Sequence, residues 1–170
     1  MEGLVLREGV EADIHALLEI EARAAQLLLA QEGMALLAMH SLVADDLRGG
    51  IKCGLLRVAQ LDGVAVGFAL VGELDGHAHL LEMDVDPAHG HQGIGGLLLA
   101  FACDATAALG LASMTLVTLR EVPWNAPFYA RHGFVELEES HWGPGLRTLV
   151  EGERMLGFPM SLRLVMRRPL

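Results

Sequence analysis

Two stretches of this 170-residue chain place residue types at spacings that could do chemistry. The first is His89-Gly90-His91-Gln92-Gly93-Ile94-Gly95-Gly96, lying between an apolar run that ends near Val85 and a second run at helical spacing. Glycines there let successive backbone N–H groups point at one place, beside the positive end of a helix dipole, which is the physics of a phosphate cradle. Spacing tests which cradle it is. A dinucleotide fingerprint opening at Gly93-Ile94-Gly95 needs a glycine at position 98, which is Leu98, and a nucleoside-triphosphate loop needs Lys-Ser/Thr after its last glycine, whereas the only lysine is Lys52. Both common nucleotide loops fail.

The second stretch, Val122 to Phe134, holds the only asparagine, Asn125, and the only tyrosine, Tyr129. A phenol titrates near 10, so it is protonated at neutral pH and can donate to a developing anion. The same residues also read as helix punctuation. Asn125 suits an N-cap whose side chain reaches the Phe128 N–H, Pro127 suits the first turn, and Trp124 with Tyr129 suits a hydrophobic staple.

Together the two stretches resemble the GCN5-related N-acetyltransferase (GNAT) superfamily. Its signature, Arg/Gln-x-x-Gly-x-Gly/Ala after a strand ending in Val-x-Pro, is similar to Val85-Asp86-Pro87 followed by Gly93-Ile94-Gly95, with Gly90 in place of the usual Arg or Gln. The ending Phe128-Tyr129-x-x-x-Gly133-Phe134 resembles the family's late motif. The resemblance implies acetyl-CoA as co-substrate, with its pyrophosphate on the amides of His91, Gln92, Gly93, Ile94, Gly95 and Gly96. It implies pantetheine pairing along Met83, Asp84 and Val85, and Tyr129 as the acid that protonates the departing thiolate. Asn125 would add a CoA contact, although many members place that asparagine seven residues before the tyrosine, not four.

Acetyl transfer to an amine needs a base or a water chain to remove a proton. Glu82 and His79 are the candidates on the central strand, on opposite faces because their numbers differ by three. The family often carries a base carboxylate here, which favours Glu82; the alternative is that Glu82, Asp84 and Asp86 form polar surface at a strand end. His77 and His79 share a strand face without a zinc-type ligand set and read as solvated or capping histidines, and no metal is expected. Cys53 and Cys103 lack a metal or redox spacing and read as buried free thiols in a reducing cytoplasm.

The elements that must hold these residues follow from periodicity. Leu4–Leu6 predicts a strand, 12–31 a helix, and 34–47 a second helix closed by Gly49-Gly50. Runs at 55–59, 64–71 and 77–85 predict a three-stranded meander turning at Asp62-Gly63 and Asp75-Gly76. A helix up to Gly110 and a strand at 112–119 then complete a βαβ unit, hence a parallel pair. Shorter elements are expected at 126–132, 134–137, 146–155 and 162–166. The fold class implied is α/β (α+β), a GNAT acyl-CoA N-acyltransferase fold. It has a mixed, mostly antiparallel sheet of six or seven strands, flanked by helices, in a single domain over residues 1–170.

Twelve basic against 22 acidic side chains give a net charge of −10. That excludes electrostatic nucleic-acid binding and fits a cationic small molecule. No apolar run approaches the roughly 20 residues of a membrane helix, and no signal-peptide pattern opens the chain, so a cytoplasmic location is expected. The acceptor is expected to be the primary amine of a small molecule, held by residues within 27–49 and 140–159. A peptide or protein amine is the rival, and an acyl-CoA-binding module without catalysis is a third reading that Gly90 keeps open. Dimerisation is common in the family.

Overall fold

The computed structural model describes residues 2–29 and 41–170. In chain order the strands are β1 (Leu4–Glu8), β2 (Leu56–Leu61), β3 (Val64–Leu74), β4 (His77–Val85), β5 (Ser113–Leu119), β6 (Val135–Glu136) and β7 (Arg163–Pro169). The helices are α1 (Ile14–Leu29), α2 (Ala44–Lys52), α3 (Ile94–Ala108), α4 (Ala126–Arg131) and α5 (Pro144–Met155). The seven strands form one mixed sheet in the order β1-β2-β3-β4-β5-β7-β6, at the upper end of the expected count. The pairs β1–β2, β2–β3, β5–β7 and β6–β7 are antiparallel, whereas β4 and β5 run parallel, with Ala78 opposite Met114 and His79 opposite Thr115. Both Asp-Gly turns form as expected: Asp62, Gly63, Asp75 and Gly76 all have positive φ, as a type I′ hairpin requires.

The chain packs as two compact units, one of residues 1–72 and 81–105, the other of 73–80 and 106–170. In the first, Ile14, Leu17 and Ile20 line one stripe of α1. They pack with Leu47 of α2, Leu56 and Val58 of β2, and Phe68 and Leu70 of β3. Each such side chain contributes about 1.5–3 kcal/mol by leaving water.

The early part of the expected second helix, Met34 to His40, lies outside the described residues. Its other end differs from expectation: α2 runs through Gly49-Gly50 and is capped at Cys53. Gly50 is buried against the Leu70 side chain, and a Cβ there would also sit 3.4 Å from Leu56 Cβ. The glycine therefore serves close approach of helix to sheet and not a stop. Cys53 is exposed, contrary to expectation, while Cys103 is buried.

In the second unit, Leu146 and Val150 of α5 pack on Val165 and Val117. The α5 amides are capped from a distance: the N–H groups of Gly145 and Leu146 donate to Asp75 Oδ1 and Oδ2 at 2.8 and 2.9 Å. Those two bonds hold the Asp75 carboxylate below its ordinary pKa. The expectation of solvated histidines on β4 is corrected at His79, which is 3% exposed. The Thr115 hydroxyl donates to the Ala78 carbonyl (3.3 Å), so it receives the Nδ1–H of His79 (2.8 Å). Burial drives the His79 pKa down to about 4, with Asp75 pulling weakly the other way.

Because the folded pKa lies below the unfolded one, near 6.5, the unfolded chain binds the proton first. His79 thus favours folding fully above about pH 6.5 and loses that contribution as pH falls towards 4, by on the order of 3 kcal/mol. Denaturation of wild type and His79→Gln across this window should show the difference shrinking as the wild type acidifies; parallel curves would contradict it.

Candidate functional site

The glycine loop belongs to the first unit. Strand β4 ends at Val85, and the Asp86 N–H donates to the Val66 carbonyl at 2.9 Å, so β3 fixes the point where the chain leaves the sheet. Asp86 then caps the turn Pro87–His89 by accepting the Ala88 N–H at 3.0 Å. Its other oxygen takes the Nε and Nη2 of Arg23 on α1, at 3.1 and 2.8 Å. Burial pushes the Asp86 carboxyl up, but the Ala88 N–H and the Arg23 guanidinium outweigh it and leave the group below its ordinary value.

Beyond that anchored turn the backbone doubles back. His91 has φ +59° and Gly93 φ +82°, and residues 91–93 are exposed. Ile94 starts α3 and is buried, so the first-turn N–H groups at Ile94, Gly95 and Gly96 have no intrahelical acceptor and lie at the positive end of the dipole. A Cβ at Gly93 would meet nothing within 4 Å, which leaves open space over the loop. The segment the sequence singles out thus places left-handed His91 and Gly93 directly before the first turn of α3.

Next to it in the same unit, carboxylates gather around β4. Glu82 and Asp84 alternate onto one face, and the buried Glu21 of α1 acts electrostatically on Asp84. Burial raises Asp84 well above the ordinary carboxylate value, with the charges of Glu82 and Glu21 adding to it. Burial raises Glu21 too. Asp84 itself is half-buried and not plain polar surface. Sequence reasoning missed Glu21, although its position on the apolar stripe of α1, one residue after Ile20, is an available signal.

Tyr129 and Asn125 belong to the second unit. Tyr129 is 8% exposed, its ring edge-on to Phe128 and Phe134 with centroids 5.2 and 5.6 Å away. Trp124, the expected staple partner of Tyr129, is 42% exposed. The expected Asn125 side-chain cap is absent. The Asn125 carboxamide instead accepts the Thr118 hydroxyl at 2.8 Å, and its backbone carbonyl takes the N–H groups of Phe128 and Tyr129 at 2.8 and 3.0 Å.

The second unit also holds a cleft of about 270 Å³, lined by Val117, Leu137, Trp142 and Val150 with the Arg120–Glu136 ion pair at 2.8 Å. Trp142 and Val150 come from the segment expected to meet the acceptor. Among the described residues no group of three or more His, Cys, Asp or Glu side chains could hold a metal ion, and no helix is long and apolar enough to cross a membrane.

Residues 53–136 match the family model described as an acetyltransferase (GNAT) domain. The chain is similar to the PaiA N-acetyltransferase of Thermoplasma acidophilum solved with coenzyme A, at 18% identity and TM-score 0.72, covering 98% of this chain and 99% of that one. It is similar to N-acetylglutamate synthase of Neisseria gonorrhoeae with coenzyme A and N-acetyl-glutamate, at 18% identity and TM-score 0.72, covering 98% of this chain but 35% of that longer protein. A third is the ribosomal-protein-S18-alanine N-acetyltransferase of Escherichia coli, at 17% identity and TM-score 0.67, with 98% and 93% covered.

Two outcomes test this geometry. Asp84→Asn removes a charge that burial disfavours, so it should melt above wild type at pH 7, and the gain should vanish below pH 3.8, where both side chains are neutral. Asp86→Ala should release the turn before the cradle and weaken acetyl-CoA binding by about tenfold, read by calorimetry.

Proposed function

We propose transfer of the acetyl group from acetyl-CoA to the primary amine of a small molecule by this chain, which belongs to the GCN5-related N-acetyltransferase superfamily. The activity class and the co-substrate follow from that membership; the acceptor and the residue roles are our reading. One observation carries it: the helix-initiating amides of Ile94 to Gly96 follow an exposed loop with a left-handed His91 and Gly93, at the end of β4. Those amides hold the pyrophosphate, and the backbone of Met83 to Val85 pairs with pantetheine. Gly90 supplies no side-chain contact there. Residues 1–170 act as one catalytic domain in this reading.

The amine loses its proton to Glu82, directly or through water, and attacks the thioester carbonyl. Backbone amides of β4 stabilise the oxyanion. As the carbon–sulfur bond breaks, Tyr129 gives its proton to the thiolate and regains one from solvent, so that an amide and a free thiol leave. His79 is set aside as the base, because it is buried, its Nδ1–H is bound to Thr115, and its pKa near 4 makes it a weak acceptor of protons.

For the acceptor, the carboxylates of the first unit and the net charge of −10 favour a cationic small molecule over an anionic one.

Acetyl-CoA at about a hundred times its Kd should add roughly 2.7 kcal/mol of stability, a clear rise in Tm, with ATP giving none. On the amine that a thiol-release panel identifies, Tyr129→Phe should lower kcat by about 10²-fold or more with little change in the KM for acetyl-CoA. Full kcat in that variant would remove the acid assignment. A rise in Tm without thiol release across amines and peptides would instead leave the binding-module reading.

A further inference from the structure

We propose that Thr118 is a positioning residue for Tyr129, acting through Asn125; its catalytic meaning rests on the acid role given to Tyr129 above. Helix α4 has six residues, too few to fix its own course in water. Its start must therefore be set from outside. The Asn125 carbonyl receives two N–H groups, those of Phe128 and Tyr129, at 2.8 and 3.0 Å. Asn125 itself sits at φ −111° and ψ −118°, outside the helical and extended regions, and its side chain makes no cap. Two bonds hold that residue: its N–H donates to the Val122 carbonyl at 2.9 Å, and its side chain is fixed by the hydroxyl of Thr118 on β5, 6% exposed, donating to Asn125 Oδ1 at 2.8 Å.

The link joins a strand in the sheet to the backbone of the acid in three steps. The Thr118 hydroxyl fixes the Asn125 carboxamide, the Asn125 carbonyl fixes the Tyr129 N–H, and the Tyr129 ring projects from the turn so defined. At the far end the Tyr129 carbonyl accepts the N–H groups of His132 and Phe134 at 2.9 and 3.1 Å, and the ring lies between Phe128 and Phe134. Those contacts hold the tyrosine laterally and from its C-terminal side, whereas Thr118 and Asn125 hold the N-terminal side of the turn. A buried hydroxyl is costly without an acceptor, so Thr118 and Asn125 constrain each other.

Tyr129 is the only tyrosine of the chain, so a sample labelled at tyrosine gives ring NMR signals from that residue alone. Thr118→Val keeps the shape and removes the donor. It should speed amide exchange at Phe128 and Tyr129 by about tenfold and shift the Tyr129 ring signals, both free and with saturating acetyl-CoA. Thr118→Ser restores the donor and should return both to wild-type values. In turnover, Thr118→Val should lower kcat about tenfold at unchanged KM for acetyl-CoA, and should add nothing in a Tyr129→Phe background.

Unchanged exchange and ring signals in Thr118→Val would overturn the proposal, as would failure of Thr118→Ser to restore them or a full further loss in the double variant. Full kcat in Tyr129→Phe alone would instead sink the acid role, while the exchange and ring signals still decide whether Thr118 holds the tyrosine.

Discussion

The first N–H groups of α3 have no carbonyl one turn back to bond, and the conformation of residues 86–96 in the first unit keeps them available. Asp86, which could have capped that helix had it stood closer, is committed to the Ala88 N–H and to Arg23. His91 takes a left-handed conformation that costs a β-carbon-bearing residue about 1–2 kcal/mol. Gly90 follows from the same turn: a Cβ there would lie 3.3 Å from the Pro87 carbonyl oxygen, closer than such contacts usually come. The departure from the family signature at this position thus has a local steric companion. A ligand with several acceptor oxygens is the natural counterpart of such a surface.

The second unit is governed by a different constraint, the burial of polar side chains on β4 and β5. Each finds a partner across a strand pair or on the next element. His79 reaches Thr115, His77 and Arg167 both reach Ser113, and Thr118 reaches Asn125. Hydrogen bonds of this kind contribute little net stability but are costly to leave unmade, so they fix register and orientation more than they add to stability. Asp75 does comparable service at longer range. A carboxylate in a hairpin turn caps a helix about 70 residues later in sequence, tying the β3–β4 turn to α5.

Around Glu21, Glu82 and Asp84 the first unit accepts an opposite kind of arrangement. Glu82 and Glu21 add to the burial that raises the Asp84 carboxyl, an arrangement that opposes folding at neutral pH. Such groups cluster at functional sites more than elsewhere, because a base must hold its proton with intermediate strength to give and take it at working pH. Placing this cluster on β4 and α1 associates it with the strand whose end carries the cradle.

Much of this is legible in the sequence, for reasons of range. Asp62-Gly63 and Asp75-Gly76 turn the chain because the local backbone needs positive φ, and the helical crossover β4–α3–β5 returns the chain to the same end of the sheet, so the two strands pair parallel. The glycine loop can be read from its residues, since backbone amides need only small neighbours and a helix behind them. Partners distant in sequence escape that reading. Asn125 is a good cap by type, yet Thr118 across the turn claims its side chain. Gly49-Gly50 looks like a stop, yet Gly50 faces a sheet that local sequence does not show. His79 reads as polar, yet its side chain is almost wholly buried and bonded to Thr115 on the neighbouring strand. The sequence by itself determined the turns, the crossover and the course of the glycine loop, because those depend on φ preferences and on neighbours within a few residues. Only the tertiary structure decided which polar groups are buried and with whom they bond, because desolvation and hydrogen-bond geometry depend on elements that meet in space.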